Sequence, residues 1–499
     1  MLFNSLQFLI FFPAVLLVYF VLPAKIRYLW LLAASYYFYM CWNAKYALLL
    51  LTSTVVTYLS GILLEQQKKK EEEDGNSRRV RKNWIVALSF IINLGILFFF
   101  KYFNFTMELL QSVFARAHIE LNVPAFDILL PVGISFYTFQ ALSYTMDVYR
   151  DEIYAEKNFF RYALFVSFFP QLVAGPIERS KNLLKQLAVP QKFSYDKARD
   201  GLLQMLWGFF LKLVLADRIA VFVDAVYGDY ESYPGWFLII ATILFAVQIY
   251  CDFAGYSTIA MGAARFLGIE LMENFDAPYL STSVGEFWRK WHISLTSWFK
   301  DYLYIPLGGS RKGKVRKYIN KMIVFLVSGL WHGAALSYVI WGALNGFYQV
   351  IGEILAPVRD RIVRVLGLNR KSIGHRLICM AGTFVLIDIS WIFFRAQTIG
   401  DAVRILRSMF TVRNPWILFD GSLYTCGLGA AEFGLLIAAI LILVFADCCK
   451  YKGISIRGAI LEQNGWFRYL FVALAVTAIL LFGKYGPGYD AAAFIYFQF

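Results

Sequence analysis

Long apolar runs recur from one end of this chain to the other, and no other feature constrains its fold so strongly. They lie at about 6–22, 28–42, 46–64, 84–100, 158–175, 202–216, 236–250, 335–355, 377–394, 431–446 and 467–482. A membrane-spanning helix needs about 20 apolar residues. Several runs are shorter and require flanking amphipathic turns or a locally thinned bilayer. Hydrophobic residues make up 59% of the chain and charged residues 16%, against about a quarter charged in soluble domains. A soluble fold of 499 residues cannot hide that much apolar surface. The alternating segments of about ten residues that mark a membrane β-barrel are absent. The sequence predicts an all-α polytopic membrane protein with about eleven spanning helices, forming one transmembrane domain over 1–499.

The stretches 126–147, 251–310 and 321–334 are apolar but broken by Gly, Pro, Asp, Arg and His. Such segments suit re-entrant or half-membrane elements packed inside protein, where freed backbone groups find partners. No internal repeat is visible, which weighs against a transporter built from inverted repeats.

The net charge of +14 does not point to nucleic acid. The basic residues sit in short loops between apolar runs, as the positive-inside rule expects, so the partner is the lipid bilayer. The strongest hydrophilic segment, Lys68–Lys82, is expected as a cytoplasmic charged loop. Lys25 and Arg27 fall on the same side. So do the basic loops Arg311–Lys321, Arg359–Arg376 and Lys450–Arg457 when 321–334 and 335–355 form an out-and-back pair. Both termini are then outside. The first run lacks a preceding basic region and an evident cleavage site, so it reads as a retained helix. The six cysteines give no metal-ligand spacing, and the adjacent Cys448 and Cys449 read as small apolar filler.

Two of only four histidines lie in adjacent membrane-associated segments. His292 lies in EFWRKWHISLTSWFKDYLYIPLGG (286–309) and His332 in SGLWHGAALSYVIWGALNG (328–346). An ionisable group at membrane depth is costly and marks function by default. From Lys321 to His332 a helix covers roughly 18 Å, little more than half of a hydrocarbon core of about 30 Å. His332 is therefore expected deep, at a turn whose Gly333, Ala334 and Ala335 let backbones approach.

A histidine takes a proton from a hydroxyl and returns it to a leaving group because its pKa lies near neutrality. A thioester needs little further activation: the acceptor must be aligned, deprotonated and its oxyanion stabilised. His332 as base and His292 as orienting or oxyanion-side partner meet that need; an acyl-histidine on His332 is the other route. The plainer reading is a pair of satisfied, hydrogen-bonded core histidines. A metal would need a third ligand, and Asp252, Asp301 and Asp388 are candidates by type alone, so no metal is expected. His118 and His375 fall in polar loops and read as structural. Asp388 reads as a packing or channel carboxylate that could pair with Arg395.

Trp288, Trp291 and Trp298, with Arg289, Lys290 and Lys300, suit an amphipathic interfacial helix. The same cations, with Arg311 and Lys312 next in sequence, equally suit a donor entry that binds phosphates. Coenzyme A and the phosphopantetheine arm of a carrier protein both fit.

These segments, in order, resemble the membrane-bound O-acyltransferase (MBOAT) superfamily, and within it the bacterial alginate O-acetyltransferase branch. The resemblance is carried by PVGISFYTFQALSYTMDVYR (131–150), VSFFPQLVAGPIER (166–179), IYCDFAGYSTIAMGAARFLGI (249–269), the segment 286–309, WHG (331–333) and FIYFQF (494–499). It implies a helical rim around a thin core with a tunnel, a catalytic core region at 251–346, His332 as essential catalytic residue and His292 as a second functional histidine. Trp331, Asp252, Trp298 and Asn345 are expected to line the tunnel. The resemblance further implies acetyl-CoA or a carrier-bound thioester as cytoplasmic donor, with no bound cofactor. It also implies an extracytoplasmic partner of the SGNH-hydrolase type, and residence in a bacterial cell membrane. The expected function is O-acetylation of an exported polysaccharide. The alternatives are D-alanyl transfer to teichoic acid from a carrier protein, and a non-enzymatic transporter with His332 as proton relay.

Overall fold

The computed structural model describes residues 1–119, 130–485 and 495. The motif 494–499, apart from Ile495, and the start of the broken stretch 126–147 lie outside these residues. Among the described residues the chain is helical with no strand. It divides into two compact units, one formed by Met1–Leu202 and Ala260–Met272, the other by Leu203–Ile259 and Glu273–Phe499.

The first unit contains α1 (Leu6–Val21), α2 (Arg27–Met40), α3 (Ala47–Asp74), α4 (Arg79–Leu97), α5 (Phe103–Arg116), α6 (Ile134–Tyr149), α7 (Phe159–Ser167), α8 (Phe169–Leu172), α9 (Ser180–Ala188) and the start of α10 (Tyr195–Phe209). Helix α6 is its centre, buried over most of its length. Gly61 on α3 makes this possible: a Cβ there would lie 2.6 Å from the Tyr144 hydroxyl. The expected run 158–175 is not one helix. It breaks between α7 and α8, and the Phe165 carbonyl accepts from the side-chain amides of Gln140 at 2.7 Å and Gln171 at 2.9 Å. This is how a break at membrane depth stays satisfied.

The expected loop 68–82 is largely helix. Helix α3 continues to Asp74 and stops at Gly75, whose φ of 68° needs no Cβ; α4 restarts at Arg79. Lys82 pairs with Glu71 at 2.6 Å, and Arg78 pairs with Asp74. The charges that suggested a solvated connector instead staple a helical hairpin.

The second unit contains α11 (Asp217–Gly228), most of α12 (Trp236–Phe266), the short α13 (Val284–Lys290) and α14 (Ile293–Phe299), then α15 (Lys314–His332), α16 (Leu336–Ile354), α17 (Ala356–Val365), α18 (Ile373–Arg395), α19 (Ile399–Thr411), α20 (Ala430–Tyr451), α21 (Ile456–Leu461) and α22 (Gly465–Phe482). A π-helical turn at Phe210–Ala216 joins α10 to α11. Glycine sets the tightest crossings. A Cβ on Gly208 would lie 2.7 Å from the Gly255 carbonyl oxygen. A Cβ on Gly329 or Gly342 would lie 2.3 or 2.2 Å from the carbonyl oxygens of Tyr338 and Phe325. The expected out-and-back pair is thus α15 and α16 in backbone contact. Helix α15 begins at Lys314, earlier than expected, because its first two turns are basic and amphipathic.

Every expected apolar run is helical, but among the described residues only six helices are long and apolar enough to cross a membrane. The number is seven if α16 and α17, bent by 52°, count as one. Helices α1 and α2 have 16 and 14 residues. The remaining expected runs are broken or end early, which hydropathy averaging over a window cannot register.

Candidate active site

His292 is placed by a kink. Helix α13 is capped by Ser283, whose hydroxyl accepts from the Glu286 amide at 3.2 Å, and it ends at Trp291. His292 then adopts φ 44°, ψ 54° and begins α14. A non-glycine residue in this left-handed region is strained and persists only where its surroundings hold it. Here Asn274 does so. Its carbonyl accepts from the Ile293 amide at 2.9 Å, and its Oδ1 from the Ser294 amide at 3.3 Å. Its Nδ2 donates to Ser257 of α12 at 3.1 Å. The imidazole of His292 is thereby turned fully inside, with the Phe253 ring edge-on at 4.6 Å.

His332 is the last residue of α15, and the following Gly333 faces the Tyr338 ring. Its Nδ1 lies 2.7 Å from the Ser328 carbonyl oxygen. A carbonyl only accepts, so the contact assigns the proton to Nδ1; in the neutral ring Nε2 then carries the lone pair. Trp331, Trp341 and Phe394 surround the ring at 4.9, 4.8 and 5.9 Å. The two imidazoles lie 6.4 Å apart, centre to centre, nearly perpendicular. Segments about forty residues apart in sequence thus bring both expected histidines into one aromatic chamber, each at most 4% exposed.

A cavity of about 700 Å³ opens one helical turn away. Lys321, Val324, Phe325 and Ser328 line it from α15. Their i, i+3, i+4, i+7 spacing makes a single stripe of roughly 10 Å that ends at the carbonyl holding His332. Tyr348, Gln349, Gly352 and Glu353 of α16 and Cys379, Gly382, Thr383 and Leu386 of α18 line the other walls. Trp288, Arg289 and Lys300 complete the lining with Arg359. Glu353 is the only lining carboxylate among the described residues, and Lys317 at 2.7 Å and Lys321 both hold it. The side chains of Arg289, Lys300 and Arg359 have no ion-pair partner among the described residues. The cavity is therefore cationic and suits an elongated anionic ligand whose uncharged end reaches toward Ser328.

Of the expected donor-binding residues, Arg289 and Lys300 line this cavity. Lys290 points away, paired with Glu286 at 3.0 Å and lying over the Tyr451 ring at 4.8 Å. Neighbours in a helix sequence do not share a face. Arg311 and Lys312 are exposed in the turn before α15, outside the cavity lining. Lys321 and Arg359 are the cations that sequence reasoning counted only as topological charge. For Lys321 the signal was the stripe leading to His332; Arg359, on α17, had none.

Of the expected tunnel-lining residues, Trp331 lies against both histidines. Asn345 accepts from Trp288 Nε1 at 3.1 Å and fixes that cavity wall from behind. Trp298 packs against Tyr302, the rings tilted by 44°, and is not part of the lining. Asp252 does not line this cavity. It pairs with Lys212 at 2.7 Å, and Lys212 in turn pairs with Asp217 at 2.8 Å; the Ile495 amide donates to Asp252 at 2.8 Å. Asp388 does not pair with Arg395, which binds Asp224 at 2.6 Å. No group of three or more His, Cys, Asp or Glu side chains placed to hold a metal occurs among the described residues. His118 is exposed in a turn, and His375 lies 3.6 Å from Cys379 on α18.

The family model of membrane-bound O-acyltransferases matches residues 35–363, a span that holds both histidines and three walls of the cavity. The chain belongs to this family. As a member it is an acyltransferase and a multi-pass membrane protein. A probable alginate O-acetylase of Pseudomonas aeruginosa is 36% identical over 448 residues, covering 89% of this chain and 81% of the relative. A peptidoglycan O-acetyltransferase of Helicobacter pylori is 32% identical over 441 residues, covering 82% and 80%. A teichoic acid D-alanyltransferase of Bacillus subtilis is similar over less of the chain, 27% identical over 245 residues, covering 45% and 60%.

Proposed function

We propose that the chain transfers an acetyl group from a thioester donor to the hydroxyl of an exported polysaccharide, of the alginate or peptidoglycan class, in a bacterial cell membrane. The observation that carries the reading is His332, its Nδ1–H fixed on Ser328, one turn from a cationic cavity. The cations suit the phosphates of coenzyme A or of a phosphopantetheine arm, and Val324 and Phe325 on the α15 stripe suit the thioester end. His332 Nε2 takes the proton of the acceptor hydroxyl as its oxygen attacks the thioester carbonyl. The carbon–sulfur bond breaks, and the imidazolium returns the proton to the leaving thiolate. His292 stands on the oxyanion side, held by the Asn274 kink. In this reading an extracytoplasmic partner of the SGNH-hydrolase type receives the acetyl group. The long, high-coverage likeness to two O-acetylation proteins favours acetyl over D-alanyl transfer.

The test compares ester-linked groups on surface polymer from cells carrying wild type or His332→Ala, at matched membrane protein levels. General base loss predicts a fall of at least about 100-fold in O-acetyl ester. Unchanged O-acetyl ester sinks the reading, and a fall in D-alanyl ester alone would shift it to the teichoic acid class.

A further inference from the structure

The first unit holds a second cavity, of about 330 Å³, remote in sequence from the histidines. The turn between α1 and α2, the start of α7 and the segment after α9 form it. Three cations line it: Lys25, Arg27 and Arg161. Arg27 is fixed there by neutral acceptors only, donating to the carbonyls of Leu22 at 3.0 Å, Phe20 at 3.2 Å and Gln191 at 2.6 Å. Its charge is thus positioned and not neutralised. Arg161 shares Glu156 at 3.2 Å, but its buried Nε has no hydrogen-bond partner among the described residues. The Lys25 side chain is exposed and forms neither a hydrogen bond nor an ion pair among the described residues. Three positive charges therefore meet one partial counter-charge, with a donor left over.

The surroundings say what kind of anion fits. Leu17 and Val21, one turn apart on α1, are 70% and 77% exposed. Phe20 meets the exposed Phe193 edge-on at 5.3 Å, which joins this stripe to the segment after α9. Leu31 and Leu164 continue the apolar wall into the cavity. A free phosphate needs cations alone. A phosphate carrying acyl chains also needs an adjoining apolar path, and the Phe20 ring, 5.7 Å from the Arg27 guanidinium, leads from this cavity to the exposed stripe. Basic pockets at the ends of membrane helices recognise anionic headgroups in this way. We propose that this cavity binds the headgroup phosphate of an anionic glycerophospholipid, with its acyl chains on the Leu17–Val21 stripe.

Native mass spectrometry of the purified full chain tests this, with phosphatidylglycerol or phosphatidylcholine added at equal mole fraction. Wild type should retain phosphatidylglycerol at least about tenfold better. Lys25→Glu should abolish that preference and Lys25→Gln reduce it, since an exposed, unpaired lysine is dispensable for folding. Lys371→Glu, the same charge change elsewhere, should leave it intact. Equal retention of the two lipids, an unaltered preference in Lys25→Glu, or displacement of phosphatidylglycerol by excess inorganic phosphate would each overturn the assignment.

Discussion

Helices α12 and α22 are almost equally apolar, yet 78% of the most apolar stretch of α12 is buried inside protein and only 6% of that of α22. The contrast shows that hydrophobicity in this chain has two meanings. Helix α22 is apolar because lipid surrounds it. Helix α12 is apolar because protein does, and it carries the groups that only a protein interior satisfies. Gln248, Asp252 and Ser257 are all buried on it. Asp252 meets Lys212, Ser257 holds Asn274 beneath the His292 kink, and Gly255 lets α10 pass against the backbone. The chamber that holds the two histidines is built against a helix that is mostly interior.

The largest test of this contrast is Lys212→Met. It leaves Asp217 and Asp252 buried together without their shared cation, and breaking a buried pair costs about 3–5 kcal/mol. A large drop in the thermal unfolding midpoint of the detergent-purified protein is expected. Leu474→Ala on α22 should leave that midpoint nearly unchanged, because lipid tails are as apolar as leucine. Equal effects of the two variants would erase the distinction between the helices.

Glycine gives the next test. Gly255→Leu forces a side chain where even a Cβ lies 2.9 Å from the Gly208 carbonyl oxygen, and overpacking of this kind costs about 1–3 kcal/mol. Gly434 on α20 has no atom within 4 Å of a Cβ. Gly434→Leu should be neutral or stabilising by up to about 1 kcal/mol through helix propensity. The two substitutions are chemically identical, so opposite shifts in the same unfolding assay isolate the environment alone.

The sequence disclosed the helices, because apolar periodicity and length are local properties. It singled out the two histidines that the fold brings together, because His292 and His332 stand where polar groups are costly. Interior and lipid-facing helices could not be told apart by hydropathy, since both solvents reward the same residues. The usable signal was the set of small and polar residues within the run, such as Gly255 and Asp252. The ion pair that holds Asp252 is invisible locally, because its partner Lys212 is forty positions away. The cations of the cavity were legible only in part, for a similar reason. Arg289 and Lys290 are adjacent in sequence but face different ways, whereas Lys321 and Arg359 are distant in sequence and line one cavity.

The smallest effect belongs to a third environment, water. Helix α19 lies outside the spanning set and opens with a capping box. The Asp401 carboxylate accepts from the Thr398 hydroxyl at 2.7 Å, from Arg404 at 2.6 Å and from Tyr230 at 2.9 Å. The Thr398 hydroxyl bond leads, with Arg404 and Tyr230 adding to it, and together they hold the Asp401 pKa down at about 2. A carboxylate depressed in the folded state stabilises fully above its ordinary pKa of about 4. That contribution is lost as pH falls toward the folded value. Unfolding midpoints measured from pH 5 to pH 2 should therefore fall more for wild type than for Asp401→Asn. The difference at pH 5 should be about 1 kcal/mol, the usual worth of an N-terminal cap. Parallel pH curves for the two proteins would mean that α19 owes its ends to packing, as α12 does, and not to its charges.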